Sequence, residues 1–585
     1  MTRYLNITHI VNQTETEHMD IPRYALIAAS ILLGLMLLGE WTRFTADEQA
    51  LIPASPIVES TAQTDSPTLL DDRATTFDQS PPDDLPSDEG LAQSSSADIY
   101  NGVSAQASSL VRVTTDVLEI VIDLEGGDVV GAALRDYPKT LADPSDPFVL
   151  LERNGQRTYV AQSGLVGPDG IDRQARALYR TDKPSYELVS SNTLDIELHY
   201  QKNVDSAVAV TKLYRFQRGS HTILVSHEIQ NLSSRTTSLT PFAQLKRDSS
   251  SAPSDNNSGM GMRPFLGSAL THSEQRFEKF DFEEMAENPF KADVQGGWIA
   301  MLQHYFVSAW VPSATDTHRY QTRHTNNGFN IIGYTGPALT LAPGETTTVT
   351  NSLYVGPKNQ SVLSGLAPHL DLVVDYGWLW WIAQPLFWLL TTIQSVVVNW
   401  GIAIIVLTLL VKLAFFQLSA AGYKSMARMR KVQPRIVAIR DEYANDKAKQ
   451  SQAMMELYKK EKINPLGGCF PILVQMPVFI ALYWVLMESV ELRQAPLALW
   501  IKDLSVMDPY FVLPILMGAS MFYMQKLNPA PPDPMQAKIM QWMPIVFTFF
   551  FLWFPAGLVL YWLCNNLLSM GQQYIINRRI ENGNL

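Results

Sequence analysis

Lys412 lies inside the apolar stretch "GIAIIVLTLLVKLAFFQLSA", residues 401–420, where an ammonium facing lipid would cost ~2.5–3.5 kcal/mol on insertion scales. Either it faces protein or water, or its long stem carries the head toward the inner head groups, ~7.5 Å along the helix at Gln417. Thr408, one helical turn earlier, puts a second polar group on the same face. Gln475, and the pair Asn565 and Asn566, fall inside two further apolar runs and would be costly against hydrocarbon. Polar groups on separate apolar runs imply one wet indentation whose chemistry is electrostatic attraction, not bond-making. Nothing else reads as catalytic. His227 and Glu228 have no spacing for metal or acid–base work and read as surface or turn residues. Cys469 and Cys564 sit in or beside apolar runs as packing residues, with no disulfide framework or zinc spacing. The phosphate-cradling GxxxxGK[ST] pattern is absent, so neither enzyme activity, cofactor nor metal is expected.

The elements that must position these groups follow from hydropathy. The chain has 585 residues and a net charge of −12, which argues against a nucleic-acid binder. Residues 1–23 form a tail. Residues 24–44 form an apolar run of about 20 residues, long enough to cross a ~30 Å hydrocarbon core. No small-x-small cleavage site follows it, which favours an uncleaved anchor over a signal peptide. Residues 45–109 are acidic and rich in Pro, Ser and Thr, the composition of a disordered tether. From 110 to about 360, period-two stretches such as "TLDIELHYQKN" alternate with Gly-Gly and Arg-Gly-Ser turn signals, which predicts antiparallel strands in one large β-sandwich.

Residues 378–398 hold tryptophans and a proline and read as a helix along the outer interface, with a membrane span as the alternative. The spans that follow are 399–419, 468–488, 509–526, 539–554 and 557–577, the last two joined by a tight turn at Pro555 to Gly557. They are separated by residues 420–467, a loop at 489–508 and a loop at 527–538, with a tail at 578–585. Residues 420–467 carry eleven basic against five acidic side chains, which places them in the cytoplasm. Both termini are then cytoplasmic and the sandwich lies outside, in the periplasm of a bacterial inner membrane. The fold class is an α-helical polytopic membrane protein, five core helices plus the N-terminal anchor, with a large periplasmic β-sandwich domain. The basic stretch has apolar residues at helical spacing and predicts a helical hairpin. Its methionines Met426, Met429, Met454 and Met455 suit either core packing or an adaptable apolar contact surface. Its lysines could hold anionic lipid or ribosomal RNA.

The stretches "NPLGGCFPILVQMPVFIALYWVLMESVELRQAPLALWIKDLS", "DPYFVLPILMGASMFYMQ", "DPMQAKIMQWMPIVFTFFFLWFPAGLVLYW" and "VDYGWLWWIAQPLFWLL" resemble the YidC family of membrane-protein insertases in its Gram-negative six-span form. The resemblance is dense over residues 365–577 and looser over the sandwich. It implies a groove in the inner half of the membrane, open to cytoplasm and lipid, closed outward, and holding a cation. That cation is usually arginine; here the matching residue is Lys412, which lacks the planar fork. Thr408, Gln475, Tyr561 and Trp562 match positions that the family places along the groove or substrate path, and Asn566 lies beside them. The family usually starts close to its first span, which points to Met19 as the start. The implied partners are nascent inner-membrane proteins, membrane lipids, subunits of the Sec translocon, and the ribosome through the cytoplasmic loops. An ion-coupled transporter and a membrane-anchored carbohydrate-binding protein are the rival readings, though no repeat relates 370–470 to 470–577.

Overall fold

The computed structural model describes residues 109–201, 206–251, 264–461, 470–528 and 534–581. The expected tail 1–23, the start at Met19, the anchor 24–44, nearly all of the linker 45–109 and Cys469 lie outside the described residues.

Between Leu110 and Pro357 the chain forms an 11-stranded and a 9-stranded sheet packed face to face. In the hairpin of Val208–Gln217 and Thr222–Asn231, Val210, Tyr214, Phe216, Ile223, Val225 and Ile229 point inward. Polar residues alternate with them, as a half-buried strand requires. Gly219, at φ 69°, makes the turn between the two strands, and Gly126 and Gly127, at 79° and 59°, make the expected Gly-Gly turn. One pairing departs from the antiparallel expectation: Arg112–Thr114 runs parallel to Ser185–Glu187, at the sheet edge. The long excursion between these strands makes a same-direction return possible, which a tight hairpin cannot.

His227 is not a surface or turn residue. It is 1% exposed because strand parity places it on the inward face with Val225 and Ile229. Its cross-strand partner is Lys212, which is fully buried and donates to the carbonyls of Gly126 (3.1 Å) and Ser163 (2.9 Å). Arg176 bridges Asp128 and Asp172 nearby, so the interior charges at this end of the sandwich are paired. Glu228, on the opposite face, is exposed.

Among the described residues, eight helices follow the sandwich and its short connecting segments. They are α1 (Trp380–Val397), α2 (Trp400–Ala414), α3 (Phe416–Glu442), α4 (Lys447–Lys460), α5 (Phe470–Glu488), α6 (Val512–Leu527), α7 (Pro534–Phe551) and α8 (Ala556–Glu581). Local chemistry sets their ends. Asn399 caps α2 by accepting from the Ile402 amide, and buried Asp508 accepts from the Leu513 amide at the start of α6. In α1, Ala383 and Leu390 face inward while Trp380, Trp381 and Trp388 are exposed on one flank. Helix α8 is central and packs against α2, α3, α5 and α6.

Several helix bounds differ from the hydropathy reading. The run 399–419 is not one straight helix: α2 stops at Ala414, and α3 leaves at an angle of 68°. The break falls where the apolar sequence meets the basic one, and Gln572 of α8 donates to the Phe416 carbonyl beside the bend (3.1 Å). No single described helix is long and apolar enough to cross a membrane, but the bent pair α2–α3 is. The turn before the last helix lies at residues 552–555 rather than Pro555 to Gly557. Gly557 is already in α8, where its amide donates to the Leu504 carbonyl (2.9 Å). Helices α3 and α4 pack through Val432, Ile436 and Leu457, flanked by Met429 and Met454. Met426 is half-buried and Met455 is 56% exposed.

The sandwich is docked onto the loop after α5. Lys358 and Glu488, both buried, form an ion pair at 3.6 Å. His304 donates from Nε2 to the Met487 carbonyl (2.8 Å), and Arg493 donates to the Pro138 carbonyl (2.7 Å) while lying over Phe148 and Phe306. Removing one member of a buried pair strands the other charge at about 3–5 kcal/mol. Lys358→Met therefore lowers the unfolding midpoint of the detergent-solubilised chain. Lys358→Met with Glu488→Leu recovers most of that loss, whereas equal loss in both would show that the pair is not coupled.

Acid should destabilise the sandwich through its buried histidines. Burial pushes His227 well below the usual imidazole value and His304 down to about 3. Their unfolded value lies near ~6.5. Below that pH the unfolded chain takes up protons that the folded chain refuses, so their contribution is full above ~6.5 and is lost as pH falls, by about 1.4 kcal/mol per pH unit per histidine. The β-sheet unfolding transition, followed by circular dichroism, is expected to drop between pH 7 and 5. His227→Leu should flatten that dependence; an unaltered slope would refute the assignment.

Candidate functional site

The buried face of α2 consists of Ala403, Ile404, Leu407, Thr408, Val411 and Lys412. An apolar helix buries that stripe against its neighbours, and the cation is carried inward with it. Lys412 is 7% exposed. Its Nζ donates to Oε1 of Gln475 on α5 at 3.5 Å, a long contact. Gln475 Nε2 donates in turn to Oδ1 of Asn565 on α8 at 2.9 Å, and the Tyr561 hydroxyl lies near the Gln475 side chain. Among the described residues no carboxylate pairs with Lys412, so three helices meet on a cation held only by neutral dipoles.

The end of this arrangement nearer the sandwich is closed by apolar packing. Leu492, Ala495, Ile501 and Leu504 of the loop after α5 are buried in the helical core. Gly401 lies so close to Leu497 that a methyl group there would overlap it. Toward the other end of α8 the polar groups continue. Ser569 donates to the Asn565 carbonyl (2.6 Å) near Tyr423 of α3, and one turn further Gln572 reaches Phe416. The polar path therefore leads from Lys412 toward the basic helices and away from the sandwich.

The structure brings together Lys412, Gln475 and Tyr561, but not every residue singled out by sequence. Thr408 is buried one turn away, with its hydroxyl donating to the Ile404 carbonyl of its own helix (2.6 Å). Trp562 turns toward α7 and packs on Phe479 (ring centroids 4.4 Å) and Phe551 (5.0 Å). Asn566 points to α6 and donates to Ser520 Oγ (3.0 Å), which makes it an interhelical tie. One helical step is 100°, so its neighbour Asn565 faces Gln475 instead. The four methionines belong to α3 and α4, where Met429 and Met454 flank a small core of their own. Sequence reasoning under-weighted Asn565; the spacing Tyr561, Asn565, Ser569, one turn apart each time, is the signal that would have found it. Among the described residues no group of three metal-ligating side chains converges.

Comparison with known proteins shows the family. The family model for the YidC periplasmic domain matches residues 110–389, and that for the 60Kd inner membrane protein matches 392–583. The membrane protein insertase YidC of Marinomonas sp. is 51% identical over 568 residues, covering 96% of this chain and 100% of its own length. That of Pseudomonas fluorescens is 50% identical over 567 residues, covering 96% and 99%. A crystal structure of an active YidC insertase with its first transmembrane domain resolved covers 81% of this chain and 93% of its own, at 18% identity and a TM-score of 0.37. At 51% identity over nearly the whole of both sequences, the chain belongs to the YidC family: an α-helical inner-membrane protein carrying a large periplasmic β-sandwich.

Proposed function

We propose that the protein inserts apolar segments of nascent inner-membrane proteins into the bilayer and assists their folding, alone or beside the Sec translocon. The observation that carries this reading is Lys412, sequestered among helices and facing uncharged Gln475 rather than a carboxylate. In this reading the polar path from Lys412 to Gln572 lines a hydrated groove open to cytoplasm and lipid. Both termini and the hairpin α3–α4 are cytoplasmic, the chain crosses six times, and α1 lies along the outer interface. The 15 residues of α2 rise only ~22 Å before the bend, short of a ~30 Å hydrocarbon core, and so supply a shortened crossing.

A nascent span with a short hydrophilic tail first meets the hairpin, where exposed Met455 offers an adaptable apolar contact and the lysines can approach a ribosome or anionic lipid. The tail enters the groove, drawn by Lys412 if it carries acidic residues. The apolar part slides past α5 and α8, whose flank includes Trp562 and Phe479. Apolar transfer, about 25 cal/mol per Å² removed from water, then drives release into lipid without a nucleotide or other cofactor. No covalent step is required, so the protein is not an enzyme.

Lys412→Glu in vesicles reconstituted with the purified chain is expected to slow insertion of an acidic-tailed single-span substrate by about tenfold, since a close charge reversal is worth 1.5 kcal/mol or more. Lys412→Ala should be milder, because the polar groups of α5 and α8 remain. Unchanged insertion by Lys412→Glu would refute the electrostatic step. A transporter or a sugar-binding protein would leave insertion of a small two-span substrate intact when the protein is depleted from cells.

A further inference from the structure

A buried ammonium usually meets a carboxylate, which neutralises it. Lys412 meets the carbonyl oxygen of a neutral amide instead. That choice matters only if the amide cannot turn over, because the reversed amide would set its NH2 donors against the ammonium's own. Gln475 is restrained from turning by a second helix. Its Nε2 donates to Asn565 Oδ1 at 2.9 Å.

We infer that Gln475 determines substrate specificity by solvating Lys412 without neutralising it, and that Asn565 is a positioning residue that fixes the Gln475 amide with its oxygen toward the amine. The inference rests on the insertion reading above and deepens it by naming the residues that keep Lys412 uncompensated. An ammonium has three donors. One contacts Gln475, and the others remain available to a visiting carboxylate without displacing a resident one. In a low-dielectric setting a carboxylate at position 475 would have the opposite effect, since it would pair with Lys412 and cancel the attraction before a substrate arrives. Asn565 acts one step removed, because it touches Gln475 rather than Lys412.

The test uses the full chain in vesicles and two single-span substrates that differ only in whether the tail residues are Asp and Glu or Asn and Gln. The readout is the ratio of acidic-tail to neutral-tail insertion. Gln475→Glu should lower that ratio by about tenfold, the effect of one close charge pair of roughly 1.5 kcal/mol. Gln475→Met, which removes the solvating amide without adding charge, should lower the ratio by less than Gln475→Glu does. A merely structural role predicts that Glu and Met shift the ratio alike, and that result would overturn the proposal, as would an unchanged ratio with Glu. Asn565→Leu should reduce the ratio, and Asn565→Gln, which retains an acceptor, should restore it; an Asn565→Leu ratio equal to that of the unaltered protein removes the positioning role. If the unaltered chain inserts neither substrate, the insertion reading fails first and the specificity inference falls with it.

Discussion

A charge and several amides have been taken out of water in a bundle whose remaining surface is apolar, and the helical architecture answers that constraint. Three of the polar groups on the path are met by a neighbouring helix. Lys412 reaches α5, Gln475 reaches α8, and Gln572 of α8 reaches back to the bend between α2 and α3. Unsatisfied, such groups would cost about 1–3 kcal/mol each, and more for the cation. Helix α8 therefore serves as the hub, packing on α2, tying α3 and α5 through polar contacts and holding α6 through Asn566 and Ser520.

The two ends of the bundle are built from opposite chemistry. At the end nearest the sandwich, the loop after α5 buries Leu492, Ala495, Ile501 and Leu504, and Asp508 organises the turn into α6 while accepting from Trp500. The sandwich fastens to the same loop through Lys358, His304 and the contacts of Arg493. At the other end the polar path runs out among basic helices. The asymmetry sets buried apolar side chains at the end nearest the sandwich against polar and basic side chains at the other.

The sandwich shows how a sequence pattern can be right while its reading is incomplete. The alternation in Thr222–Asn231 announced a strand, and the same alternation, followed in phase from Val225, puts His227 in the interior. A histidine outside any motif was read as a surface residue because type was given more weight than parity. The buried set of Lys212, Arg176, Asp128 and Asp172 was invisible for a different reason. Its members come from three separate stretches and meet only when the two sheets close.

By itself the sequence determined the division into a β-rich and a helical half, the basic hairpin and the presence of a misplaced cation at Lys412, because composition and periodicity are local and survive without tertiary context. The resemblance of its long apolar motifs to the YidC family was legible there too, and identity over nearly the full length bears it out. Only the tertiary structure decided which polar residue faces which. Asn565 and Asn566 are chemically the same and adjacent, yet one completes the contact to Gln475 and the other ties α6, since helix rotation by a single residue sends their side chains to different neighbours. The bend at Phe415 was equally hidden, because no proline or glycine marks it and the groups that receive it lie on α8, more than a hundred residues away.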